Sequence, residues 1–148
     1  MTQDPKLVVD ASVVVKCYVP EPGSSWAVAL LAGPARLLAP DLLVSEFGNT
    51  VWKKTRRGEL KAGEGKAIVH AFLAALPVTL HSSTVLLPAA WEIALRFRRT
   101  VYDAIYLALA VAEDCPFVTA DEALTRAVRA TPLREFIRPL AQWTSSEI

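Results

Sequence analysis

Four acidic residues lie within or just beyond apolar runs, where an unpaired charge is costly: Asp10 after Leu7-Val8-Val9, Glu46 in Pro40-Asp41-Leu42-Leu43-Val44-Ser45-Glu46, Asp103 in Val101-Tyr102-Asp103-Ala104, and Asp121 after Phe117-Val118-Thr119-Ala120. Burial raises a carboxyl pKa unless a cation or a donor compensates. If the four converge, they cannot all stay ionised alone, because two unit charges about 4 Å apart repel by roughly 4 kcal/mol even at an effective dielectric near 20. A hard divalent cation removes that penalty. All-oxygen ligation suits Mg²⁺ or Mn²⁺, and the chain has no Cys/His spacing of the kind zinc prefers. Mg²⁺ keeps several waters and is completed by substrate phosphate, so such a site suits phosphodiester hydrolysis, with one ion activating the water and a second able to stabilise the leaving oxygen. Glu46 or Asp121 then orients or deprotonates the water. His70, in an alanine-rich helical segment, and His81, after a short strand, are expected to be structural or surface residues.

Each acid also has an ordinary explanation. Asp10 and Asp121 precede helical runs, and aspartate is a preferred N-cap. Thr100-Val101-Tyr102-Asp103 has the capping-box pattern. Glu46 could be a surface helix residue, although Leu42, Leu43, Val44, Phe47 and Val51 around it argue that it faces inward. Glu46 and Asn49 are three apart on one predicted helix and so share a face, as do Asp103 and Tyr106 or Leu107.

The elements that must position these residues alternate. Short apolar strands are predicted at Leu7 to Val9, Leu37 to Ala39, Val78 to Leu80, Phe117 to Thr119 and Ile137 to Arg138. Helices are predicted at Ala11 to Tyr18, Ser25 to Leu31, Pro40 to Arg57, Ala62 to Leu76, Ser83 to Phe97, Val101 to Ala112 and Asp121 to Arg129, punctuated by Gly33-Pro34, Gly58, Pro77 and Cys115-Pro116. Short, continuously apolar strands between helices imply a three-layer α/β/α sandwich on a mainly parallel central sheet. Sites in such sheets lie beyond the carboxyl ends of the strands, where Asp10 and Asp121 fall.

At 148 residues, with 53% hydrophobic and 21% charged residues, the chain is expected to form one folded domain over residues 1–148. No apolar stretch reaches the roughly 18 residues of a membrane span, and Met1-Thr2-Gln3-Asp4-Pro5 does not read as a signal peptide, so a cytoplasmic protein is expected. Cys17 and Cys115 read as buried free thiols. The formal net charge of +1 does not advertise a nucleic-acid binder. Locally, however, Lys53, Lys54, Arg56, Arg57 and Lys61 follow Glu46, and Arg96, Arg98 and Arg99 precede Asp103. These clusters are either solvated helix ends or phosphate contacts.

Four segments in this order, Leu7-Val8-Val9-Asp10-Ala11-Ser12, Pro40 to Asn49, Tyr102-Asp103-Ala104-Ile105-Tyr106-Leu107-Ala108-Leu109-Ala110 and Phe117-Val118-Thr119-Ala120-Asp121, resemble the successive motifs of PIN-domain ribonucleases. Length and motif order are most similar to the VapC-type toxin subunits of VapBC toxin-antitoxin pairs. The resemblance implies a PIN-like fold and a Mg²⁺ (or Mn²⁺) site made by Asp10, Glu46, Asp103 and Asp121, with Asp10 and Asp103 as the foremost direct ligands. It implies supporting polar roles for Ser12, Asn49 and Thr119. It also implies an RNA substrate, single-stranded or looped, a homodimer, and an antitoxin bound in a groove near the site. The apolar helices at Ser25 to Leu31, Pro40 to Trp52 and Ala62 to Leu76 offer surfaces for such a partner.

Trp26, Trp52, Trp91 and Trp143 are expected mainly in cores or interfaces, with Trp52 beside Lys53 the best candidate for stacking on a base. Rival readings fit less of the sequence. A haloacid-dehalogenase-like phosphatase needs a second acid two residues after Asp10, where Ser12 stands. A catalytically silent PIN-like RNA-binding or scaffold module would be expected to have lost an acid. A purely structural interaction protein leaves the four acidic settings coincidental.

Overall fold

Five three- to five-residue strands form one sheet in the order β3-β2-β1-β4-β5, every adjacent pair parallel. They are β1 (Lys6–Val9), β2 (Arg36–Pro40), β3 (Thr79–His81), β4 (Phe117–Thr119) and β5 (Ile137–Pro139). The structure, a computed structural model, describes residues 4–142. Trp143 and Met1 to Gln3, the start of the segment that does not read as a signal peptide, therefore lie outside the described residues. The helices are α1 (Ala11–Val15), α2 (Ser24–Ala32), α3 (Leu42–Arg56), α4 (Ala62–Ala74), α5 (Ser83–Phe97), α6 (Val101–Glu113) and α7 (Glu122–Val128), followed by short 3-10 turns at Pro132–Glu135 and Leu140–Gln142. This is the α/β architecture expected from the sequence.

The three central strands are core almost throughout. Leu7, Val8, Val9, Leu38, Ala39, Phe117 and Val118 are all nearly inaccessible, as a sheet covered on both faces requires. Helix α6 packs on β1 and β2 and is itself covered by α5. Its residues Ala104 to Ala110 are consequently buried on every side, which explains why that run carries no charge. On the other flank Phe47 of α3 stacks on Phe72 of α4 at 3.9 Å between ring centroids, and the edge of Tyr18 meets both rings. Gly65 makes this approach of α3 and α4 feasible, since a Cβ there would fall 2.6 Å from the Thr55 hydroxyl.

Two predicted boundaries are corrected. Helix α1 stops at Val15 rather than Tyr18: Lys16, Cys17 and Tyr18 donate their amides to carbonyls three residues back, a tighter turn that follows the β-branched run Val13-Val14-Val15. Pro40 ends β2, opposite His81, instead of opening α3; at the end of a strand its missing N–H costs no ladder bond within the strand. Cys115 is buried as expected, while Cys17 is only half-buried, and both are free thiols with pKa values raised by burial. No helix among the described residues is long and apolar enough to cross a membrane.

Candidate active site

The strand order reverses at β1. The chain moves outward through β2 and β3 and then crosses to β4 on the other side, leaving a crevice beyond the carboxyl ends of β1 and β4. In the β1/β4 register Val9 pairs with Val118, so the next residues along are Asp10 and Thr119. The Asp10 amide still reaches the Val118 carbonyl at 3.4 Å. Here the backbone ladder gives way to side chains: the Thr119 hydroxyl donates to Asp10 Oδ2, the Ser12 hydroxyl donates to Oδ1, and the Val13 amide donates to the same Oδ1 at 3.2 Å. Ser12 and Thr119 are in turn held by the amides of Ala120 and Asp121 at 3.1 and 3.0 Å. Asp10 is thus an N-cap and a buried carboxylate at the crevice at once, only 9% exposed. Asp121 also caps α7, accepting from Leu124 N at 3.0 Å, and lines the crevice, but it is exposed.

All four acids line one cavity of about 340 Å³. Asp103 comes from the first turn of α6, which Thr100 opens by accepting the Asp103 amide at 3.1 Å. The preceding Arg98, in the left-handed conformation at φ 54°, ends α5 and turns the chain toward that cap. Thr100→Ala is expected to lower stability by about 1 kcal/mol, read as a lower urea midpoint at unchanged slope, with Thr100→Ser retaining most of it. Glu46 comes from α3, half-buried, and accepts a 2.6 Å hydrogen bond from the Tyr106 hydroxyl of α6. Tyr106 is itself fixed by stacking on Phe117, ring centroids 5.3 Å apart.

Around the acids stand Lys16, Glu21 and Lys54, which also line the cavity. Glu21 bridges the two ammonium groups, at 3.1 Å to Lys16 and 2.6 Å to Lys54, and they in turn hold its carboxyl below the usual range against the effect of burial. The wall therefore carries five carboxylates against two cations. Burial raises the pKa of Asp10 to about 6, opposed by its bonds from Ser12, Thr119 and Val13. Burial also raises Glu46, with the Asp103 charge adding to it and the Tyr106 bond opposing it. Asp103 is raised by burial and by Asp121, with Arg99 pulling it back.

Asn49 is exposed and does not line the cavity; Thr50, four residues after Glu46 and so closer to its helical face, does. Of the basic cluster after Glu46 only Lys54 reaches the cavity wall, and of the cluster before Asp103 it is Arg99 whose charge is felt at that carboxylate. Neither His70 nor His81 lines it. Sequence reasoning did not single out the Tyr106 hydroxyl or the Lys16–Glu21–Lys54 triad. The only signal for Tyr106 was its place three residues after Asp103, one helical turn along the same face.

The donor set fits a hard divalent cation, being oxygen-only with an excess of negative charge. Among the described residues no three His, Cys, Asp or Glu side chains are arranged so that together they could hold a metal ion.

The PIN domain pattern matches residues 7–130. Ribonuclease VapC3 of Pyrobaculum aerophilum is 38% identical over 122 residues, covering 80% of this chain and 92% of its own length. Ribonuclease VapC1 of Mycobacterium tuberculosis is 31% identical over 120 residues, covering 81% of this chain and 89% of its own. Among solved structures, PAE2754 from Pyrobaculum aerophilum superposes with a TM-score of 0.65 at 20% identity over 93% of this chain and 85% of its own. VapC20 of Mycobacterium tuberculosis, described as a toxin that cleaves the sarcin-ricin loop, superposes with a TM-score of 0.61 at 19% identity over 82% and 94%.

Proposed function

The chain belongs to the PIN-domain family, and from that premise we propose that it is a Mg²⁺-dependent endoribonuclease, the toxin of a type II toxin-antitoxin pair, hydrolysing RNA phosphodiester bonds between Asp10, Glu46, Asp103 and Asp121. The observation that supports this most directly is that four carboxylates from four separate segments line one cavity at the topological switch point of a parallel sheet. The VapC ribonucleases to which the chain is 31% to 38% identical supply the toxin reading.

In this reading Asp10 and Asp103 hold the cation and Glu46 and Asp121 complete the set. When bound, Mg²⁺ or Mn²⁺ supplies Lewis-acid polarisation of the phosphodiester and a lower pKa for the attacking water. The protein's own contribution is positional. Ser12 and Thr119 lock both oxygens of Asp10, and Tyr106 fixes one oxygen of Glu46, leaving its other oxygen to orient the water. Lys16 and Lys54, held by Glu21, present positive charge to the arriving phosphate, which the five carboxylates would otherwise repel.

Partners follow from exposed apolar surface. Helix α5 presents Val85, Leu87, Trp91 and Leu95 to solvent, a stripe suited to a homodimer contact. Trp52 of α3 and Leu73 of α4 are likewise exposed and available to an antitoxin helix.

The test is cleavage of RNA by the purified protein. Activity is expected with Mg²⁺ or Mn²⁺, to disappear in excess chelator, and to return when the ion is added back. Equal cleavage with chelator and with Mg²⁺ would overturn the assignment. Expression alone is expected to arrest growth, and co-expression of the antitoxin to relieve the arrest; harmless expression of an active enzyme would count against the toxin role.

A further inference from the structure

Beside the acid pocket lies a larger cavity of about 580 Å³, and the two share Lys16, Ala120 and Asp121 as a common wall. Its other walls include Trp26 at the start of α2 and Arg126 and Arg129 at the end of α7. We propose that this second cavity is a single-stranded RNA subsite that holds the nucleotide next beyond the two joined by the cleaved bond, Arg126 and Arg129 on its phosphates and Trp26 stacked against its base. The inference rests on the nuclease reading of the acid pocket and extends it to the path of the substrate.

Charge argues first. Lys16, Arg126 and Arg129 face the cavity against Asp121 and Glu122, and Asp121 belongs equally to the acid pocket. Lys16 is committed to Glu21, whereas Arg126 and Arg129 are exposed and enter no ion pair among the described residues. Guanidinium groups three residues apart at the end of one helix share a face and match phosphate oxygens in a fork geometry that lysine lacks.

The aromatic wall argues next. Trp26 is 46% exposed, on a helix that buries only Ala27 and Leu30, so its ring is not consumed by the core. The sequence-based favourite for stacking, Trp52, is less suited: the Arg56 guanidinium lies 5.5 Å from its ring centroid, and it lines neither cavity. Of the tryptophans expected in cores or interfaces, Trp26, Trp52 and Trp91 are about half exposed, which rules out the core for these three. Only Trp26 sits where a base leaving the acid pocket would arrive. The cavity volume is within the range of about 300 to 1,000 Å³ usual for small-ligand sites, enough for a nucleotide.

Two substrates separate this subsite from the catalytic pocket: a dodecamer of oligouridylate, long enough to enter both cavities, and the dinucleotide UpU, which spans little more than the cleaved bond. For Arg126→Ala/Arg129→Ala, kcat/KM on the dodecamer is expected to fall at least about tenfold more than on UpU. Dodecamer affinity measured in chelator should weaken in parallel, with the slope of log affinity against log salt reduced by about 1.4, the value for two single-strand phosphate contacts. Trp26→Ala should weaken the same binding without changing that slope, and Arg126→Lys/Arg129→Lys should restore the slope but only part of the affinity. Unchanged dodecamer affinity in the double alanine variant overturns the subsite, as does an equal loss on both substrates. So does a loss confined to an acidic antitoxin peptide, which would make the cavity a protein site. If the wild type cuts neither RNA with Mg²⁺, the nuclease reading fails, while the affinity measured in chelator still reports on the cavity.

Discussion

Asp10→Asn is expected to reduce RNA cleavage by about a thousandfold and, at the same time, to stabilise the cation-free protein. Asp10 is a buried carboxylate whose pKa rises from 3.8 to about 6 on folding, mainly through desolvation. A carboxyl more basic in the folded than in the unfolded state favours folding in its neutral form. Its penalty is absent below about pH 4, grows as pH rises through about 6 and then levels, reaching at most about 3 kcal/mol at 1.36 kcal/mol per pKa unit. Chemical denaturation of the wild type in chelator should therefore show stability falling between about pH 4 and 6, a fall that is smaller in the Asn variant. Glu46 and Asp103, also raised, add to the trend in the same direction. Adding Mg²⁺ at neutral pH should stabilise the wild type far more than the variant, since only the wild type keeps the carboxylate to be neutralised. A variant that still cleaves RNA, or a wild type whose cation-free stability climbs from pH 4 to 6, would contradict this account of Asp10.

Glu46→Gln should lower cleavage by about two to three orders of magnitude, and Tyr106→Phe by about one, while the double variant falls no further than Glu46→Gln alone. The reason is that Tyr106 acts through Glu46. Its hydroxyl donates to Glu46 Oε1 at 2.6 Å and opposes the rise in the Glu46 pKa that burial imposes. The Tyr106 phenol is itself raised far above its ordinary value by burial and then by the Glu46 charge, so it stays a donor throughout the working range. Without that donor the Glu46 carboxyl becomes more basic, so the acidic limb of the pH profile of kcat/KM should move to higher pH in Tyr106→Phe. A residue that merely packs would leave that limb where it is. Additive losses in the double variant, or an unmoved limb, would assign Tyr106 to packing alone.

How much of this was legible in the chain depends on the range of the interaction. Asp10 and Asp121 could be assigned to the carboxyl ends of β1 and β4 because each follows its apolar strand within two residues, a local relation that any register preserves. Their capping bonds were legible for the same reason, and capping proves compatible with lining the pocket: Asp10 accepts from Val13 N while its carboxylate lines the crevice. The helical setting of Glu46 and Asp103 followed from apolar periodicity. Asn49 was expected beside Glu46 and Thr50 lines the cavity instead, because a one-residue difference in helical phase is decided only by where α3 rests on its neighbours.

The residues that escaped are those whose partners are distant. Tyr106 and Glu46 are 60 positions apart, and Glu21 and Lys54 are 33 apart. Nothing in either local segment specifies such a meeting. Equally, the exposure of Trp26 and the freedom of Arg126 and Arg129 are statements about what does not pack against them. The sequence by itself determined the alternation of strands and helices, the buried character of the sheet and the identity of the four acids, because hydrophobic period and strand-end position are local properties. Only the tertiary structure decided that the acids share one cavity, which cations face them and which tyrosine holds Glu46. Those depend on the strand order β3-β2-β1-β4-β5 and on the packing of α3 and α6 beside it, which bring side chains together across separations that no local pattern encodes.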